Sequence, residues 1–163
     1  MKNQRLAKIA GGLAVPCVIA AGLLAWYVTR EPASPLAHES VAVADIDPAL
    51  VSRGEYVARL GDCVACHTAK GGALMAGGLE LQTPMGTLYS SNITPDPETG
   101  IGRYSFEQFD RAMREGVTPA GINLYPAMPY PSYAKMSEAD MRALYVYLLQ
   151  GVEPVKQANL QAE

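Results

Sequence analysis

Histidine is nearly absent from this chain, with only His38 and His67 among 163 residues, and cysteine is scarce, with Cys17, Cys63 and Cys66. An odd number of cysteines argues against a disulfide framework. A structural zinc site built on Cys63, Cys66 and His67 needs a fourth ligand, and distant His38 is the one other histidine. Excess positive charge is also missing. Residues 1 to 31 hold Lys2, Arg5, Lys8 and Arg30 against Glu31, which leaves nine basic and fifteen acidic side chains in the remainder. Binding a phosphate backbone requires a Lys/Arg surface that displaces counterions, so this balance excludes nucleic acid as a partner. The length leaves room for one globular domain and an accessory segment, and not for two domains of comparable size.

The charge that is lacking elsewhere is concentrated at the start. Ile9 to Val28 is a run of 20 residues without a charge, preceded by three basic side chains. At ~1.5 Å per residue it spans about 30 Å, the hydrocarbon thickness of a bilayer. We expect residues 1–30 to be a transmembrane anchor, with Trp26 and Tyr27 at its outer interface and the basic residues inside. The rest of the chain then faces the periplasm from the inner membrane of a bacterium. A cleaved signal is the rival reading; Ala42-Val43-Ala44 has the cleavage shape but lies far beyond the apolar run. Either way the domain is exported. Cys17, preceded by Pro16, reads as a plain membrane-facing residue.

Residues 31–46 show no amphipathic period and read as a tether. The domain then occupies 47–155, followed by a tail at 156–163. Its first helix is expected from about Pro48 to Gly61, with Asp47 as N-cap and Leu50, Gly54, Val57, Ala58 and Gly61 on one face. A second is expected over Ser105–Glu115, with Ser105 and Gln108 as a capping pair, Phe106, Phe109 and Met113 inward, and Gly116 at its end. The last runs from Glu138 to Gln150, capped by Ser137 with Asp140 three residues on, and carries Met141, Leu144, Tyr145, Leu148 and Leu149 as its apolar stripe. The reading is all-α. Two Gly- and Pro-rich connections, 68–104 and 117–136, are too long for structureless loops of a compact domain unless they wrap something.

Cys63-Val64-Ala65-Cys66-His67 says what is wrapped. C-x-x-C-H is the attachment signature of c-type haem: the thiols add across two vinyl groups, and the adjacent histidine falls under the iron. A thioredoxin-like C-x-x-C would follow a strand and open a helix, whereas here the pair closes one. One covalent haem c is therefore expected, with His67 as an axial ligand. The other axial ligand is to be chosen from the methionines or His38. Met128 fits best, because Pro126, Pro129 and Pro131 fix an extended loop around it. Met113 and Met141 sit on helical stripes, and Met75, Met85 and Met136 in less rigid loops; gap filling is the ordinary use of any of these. His/Met ligation raises the reduction potential and leaves no open position, which disfavours peroxidase or oxygen chemistry.

The stretch from Gly54 to Val155 resembles the first haem domain of the cytochrome c subunits that accompany membrane-bound periplasmic dehydrogenases for alcohols, aldehydes, gluconate and related sugar acids. The strings that carry the resemblance are Gly61 to Ala69, Thr83-Pro84, Ser91-Asn92-Ile93-Thr94-Pro95-Asp96-Pro97-Glu98-Thr99-Gly100-Ile101-Gly102 and the run from Leu124 to Lys135. The resemblance implies a class I cytochrome c fold, first and last helices crossing near Gly54, and Met128 as axial ligand. It also makes Asn92 and Tyr104 candidates for propionate or haem-edge contacts, beside the plainer reading of turn chemistry and core packing. In such families the subunit has three haem domains, while C-x-x-C-H occurs once here. The chain is then either a single-haem relative or part of a longer subunit.

These readings imply a carrier of single electrons with no catalytic site of its own. Its donor is a periplasmic dehydrogenase subunit of quinoprotein, flavoprotein or molybdenum type, and its acceptor a quinone, another cytochrome or an oxidase. The alternatives are a stand-alone carrier to a terminal oxidase and a haem-based sensor in which Met128 dissociates and a gas or peroxide binds.

Overall fold

A computed structural model describes residues 47–162, together with positions 19, 20, 22 and 23. The expected membrane span lies, apart from those four helical positions, outside the described residues, as do the tether, Cys17 and His38. No helix among the described residues is long and apolar enough to cross a membrane.

The first helix of the domain, α1 (Pro48–Leu60), starts where the sequence places its cap. The Asp47 carboxylate accepts from the Ala49 N–H, and Pro48 supplies a preset φ at the first position. It stops one residue earlier than expected. Gly61 caps it by donating to the Val57 carbonyl at 2.9 Å, and Asp62 then takes a left-handed conformation at φ 54°. That turn separates α1 from α2 (Cys63–His67). The cysteine motif therefore forms its own short helix instead of closing the first one. Aspartate tolerates this backbone region better than most residues, because its short side chain hydrogen-bonds locally.

The last helix of the described residues, α5 (Glu138–Gln150), packs across α1. At the crossing, a Cβ on Gly54 would overlap the Ala143 carbonyl oxygen and come within 2.5 Å of the Tyr147 Cβ. Only a hydrogen fits there, so the two backbones meet directly, as the resemblance implies. Arg53 pairs with Asp140 at 2.8 Å across this junction. Asp140 also accepts from the Ser137 hydroxyl, so its carboxylate turns to side chains and the capping box is only half made. Met141, Leu144 and Leu148 are essentially buried, each worth about 1.5–3 kcal/mol against exposure.

Between these helices lies α3 (Phe106–Glu115), with a reciprocal Ser105/Gln108 capping box and Gly116 left-handed at its end. Phe106 and Phe109 pack edge-on and tilted against Tyr145 of α5, with centroids 5.6 and 5.4 Å apart. A short helix, α4 (Tyr130–Tyr133), packs against α3. Arg114 of α3 secures the turn after α4: its guanidinium donates to the carbonyls of Ala134 and Met136 at 2.8 and 2.9 Å.

The fold is mostly helical but not all-α. Strands β1 (Glu80–Thr83) and β2 (Gly86–Tyr89) form an antiparallel hairpin inside the long connection, in the register Glu80↔Tyr89 and Leu81↔Leu88. Its turn, Pro84-Met85, needs Gly86 at φ 130°. Two four-residue strands beside so much Gly and Pro leave too short an alternation to read as a sheet. The expected tail is also part of the domain. Lys156 pairs with Glu98, and Gln157 and Asn159 hydrogen-bond to the 76–99 connection.

Candidate haem site

α2 presents both thiols and an imidazole over one turn. Cys63 and Cys66 are unbridged. Burial pushes the Cys63 thiol up to about 11. A thiol held protonated is the reverse of the low-pKa thiolate that a thioredoxin-like redox pair requires. His67 places Nδ1 2.7 Å from the Ser91 carbonyl oxygen. With Nδ1–H donating there, Nε2 keeps its lone pair free, the tautomer a metal-ligating imidazole needs. Burial, opposed by that bond, holds its pKa below the usual histidine value and keeps the ring neutral.

These groups line a cavity of about 280 Å³, where ~10–15 Å³ suffices for one water. Leu81 and Leu88 of the hairpin, Phe109 and Met113 of α3, and Leu144 and Leu148 of α5 form its apolar walls, and Tyr125, Met128 and Tyr133 enter from the second long connection. The hairpin, unread in the sequence, thus supplies a wall. Ser91 and Tyr133, also missed, lie inside the quoted family strings, but only the fold shows what they bond.

Of the methionines, Met128 and Met113 line the cavity. Met141 is buried in the helix crossing, and Met85 is 86% exposed at the hairpin turn. Met75, expected in loose surroundings, is 1% exposed, with φ 57°. It is clamped by a bond from its N–H to the Thr68 hydroxyl and by its carbonyl accepting from the Ile93 N–H. Tyr104 lines the cavity as well. Asn92 is not in its wall. Its side-chain amide donates to Thr99, Val155 and Gln157 and its carbonyl accepts from the Thr94 N–H and hydroxyl. A fully spent side chain, 2% exposed, has nothing left for a propionate. Asn92 instead ties the C-terminal segment to the turn it begins.

Two thiols in C-x-x-C spacing, a neutral imidazole with Nε2 free, a thioether and apolar walls fit a haem. Comparison with known families agrees: the cytochrome c family profile matches residues 51–151. The chain belongs to the cytochrome c family. Membership in it implies covalently bound haem c.

This cytochrome is 60% identical over 119 residues to the cytochrome c subunit of a quinone alcohol dehydrogenase from Komagataeibacter europaeus, covering 73% of this chain and 25% of the relative. It is 57% identical over 128 residues to the gluconate 2-dehydrogenase cytochrome c subunit of Pantoea cypripedii, covering 78% and 29%. A third relative is a nicotinate dehydrogenase subunit of Pseudomonas putida, 50% identical over 151 residues, covering 90% of this chain and 12% of the relative. The chain thus spans between 12 and 29% of the length of these curated relatives, and the resemblance to dehydrogenase subunits extends over most of it.

Proposed function

We propose that this chain is a one-electron relay of a membrane-bound periplasmic dehydrogenase, accepting electrons from the substrate-oxidising subunit and passing them toward the respiratory chain. The observation that carries the proposal is the gathering of Cys63, Cys66, His67 and Met128 in one apolar cavity. The relatives are named as subunits of alcohol, gluconate and nicotinate dehydrogenases, and we extend that partner class to this chain.

In this reading Cys63 and Cys66 would hold one haem covalently, and His67 and Met128 would ligate its iron. The haem supplies a metal centre that changes by one electron without making or breaking a substrate bond. The protein keeps the site dry and rigid. Leu81, Leu88, Leu144 and Leu148 exclude water; Ser91 fixes the ring plane of His67 and holds its proton at Nδ1. Met128 is preferred over Met113 because Met113 is fixed on α3, 8% exposed within the core cluster. Met128 sits on a loop shaped by prolines, with its carbonyl accepting from the Tyr130 N–H at 2.8 Å. A soft thioether favours the reduced state, suiting an acceptor from dehydrogenases. Residues 1–30 serve as the membrane anchor and residues 31–46 as its leash, with a quinone or a further haem as acceptor.

Stopped-flow mixing of the oxidised cytochrome with a substrate-reduced periplasmic dehydrogenase of its host tests the proposal. Haem reduction on the turnover timescale is expected; no reduction with any of the quinoprotein, flavoprotein or molybdenum enzymes sinks it.

A further inference from the structure

The carbonyl that accepts from His67 belongs to the peptide group joining Ser91 and Asn92. The N–H of that same group donates to the Asn159 side-chain oxygen at 2.7 Å. His67, one peptide unit and Asn159 are therefore linked in series, across 92 residues of chain. Asn159 is itself held, its amide donating to the Thr99 carbonyl at 3.0 Å. Gly77 closes on the peptide from another side. A Cβ there would lie 2.5 Å from the Ser91 carbonyl carbon and 2.6 Å from the Asn92 nitrogen, and the Gly77 N–H donates to the His67 carbonyl at 2.8 Å. The peptide cannot rotate away without breaking these contacts.

Hydrogen bonds in series polarise one another. An amide whose N–H is engaged by an acceptor carries more negative charge on its oxygen and accepts more strongly. A stronger acceptor at Nδ1–H gives the imidazole more anionic character and makes it a better donor to a metal, which favours ferric iron. We propose that Asn159 is a positioning residue for the haem, lowering its reduction potential through the Ser91–Asn92 peptide and His67. The inference rests on His67 being an axial ligand and goes beyond it: a surface residue outside the helical core tunes the iron without touching the cavity. Any segment or partner that pulls residues 156–159 away would raise the potential.

The test uses the haem-loaded full chain. Asn159→Ala removes the acceptor from the Asn92 N–H, Asn159→Asp offers a charged acceptor, and Leu160→Asp adds the same charge next door without the bond. Polarisation of a hydrogen bond by roughly 10–30% changes the oxidised-to-reduced ratio by up to about twofold, which is ~18 mV at ~59 mV per tenfold. We expect a higher midpoint potential in Asn159→Ala and a lower one in Asn159→Asp than in Leu160→Asp. The Nδ1–H proton resonance of the reduced protein should move upfield in Asn159→Ala. Unchanged potentials, shifts of one sign in both Asn159 variants, or an Asn159→Asp shift equal to that of Leu160→Asp overturn the proposal. A wild-type spectrum without histidine ligation would sink the ligand assignment itself, so the two failures are separable.

Discussion

Tyr133 donates its hydroxyl hydrogen to the Gly61 carbonyl at 2.8 Å, joining the segment that carries Met128 to the last turn before the haem-attachment motif, 72 residues away. The carbonyl it engages belongs to Gly61, whose N–H caps α1 just before Asp62 turns the chain into α2. One bond thus fixes the distance between the two stretches assigned to iron ligation. Both Tyr133 and Met128 face the same cavity.

Tyr133→Phe should keep the ring and lose this bond, destabilising the cytochrome by about 0.5–1.5 kcal/mol. Urea unfolding followed by circular dichroism measures it. The spectral signature of sulfur-to-iron ligation should be lost at lower urea than in the wild type while histidine ligation persists. Loss of both ligands together would show that the bond does not hold the Met128 segment.

Met128→Ala should open a coordination position. The reduced wild-type protein is expected to keep its visible spectrum under carbon monoxide, and the variant to shift completely, since His/Met ligation fills both axial sites. A rapid shift in the wild type would favour the gas-binding reading over the carrier.

Asn92→Ala should cost at least about 2 kcal/mol, because the buried Thr94 N–H loses its acceptor and the half-buried carbonyls of Val155 and Gln157 each lose a donor. Its haem spectrum should be unchanged, as Asn92 is outside the cavity wall. Thermal melts with parallel spectra separate this anchoring role from a haem contact.

Gly54→Ala should be among the most damaging single changes, by about 3 kcal/mol or more, since the added methyl overlaps the Ala143 backbone. The yield of folded, haem-loaded protein reads it directly. Ala143→Gly should not rescue the variant, because the clash is with the backbone carbonyl.

Stability should fall in acid through Asp96. Hydrogen bonds from the Thr99 hydroxyl and N–H, then from the Glu98 N–H, hold its pKa below the usual carboxylate value. A depressed folded pKa gives stability that is present above the unfolded value of about 3.9 and is lost as pH falls through the folded one. Asp96→Asn should flatten the decline in melting temperature below about pH 4. An identical slope in the variant would exclude Asp96 as its source.

The sequence alone determined what local chemistry controls. Caps at Asp47, Ser105 and Ser137 and stops at Gly61, Gly116 and Gly151 place three helices to within a residue, because capping acts over one turn. The spacing of Cys63, Cys66 and His67 names the cofactor, because covalent attachment needs only those five residues. What depends on distant segments meeting was left to the tertiary structure. Leu81 and Leu88 became a cavity wall only when two short strands paired, and Met75 proved buried where its neighbours looked loose. Asn92, next to a peptide that touches His67, turned its own side chain to Thr94 and Val155. Residues 156–159 read as a tail because polar side chains have no period. Their partners lie 58 to 81 residues away, and only folding brings them there.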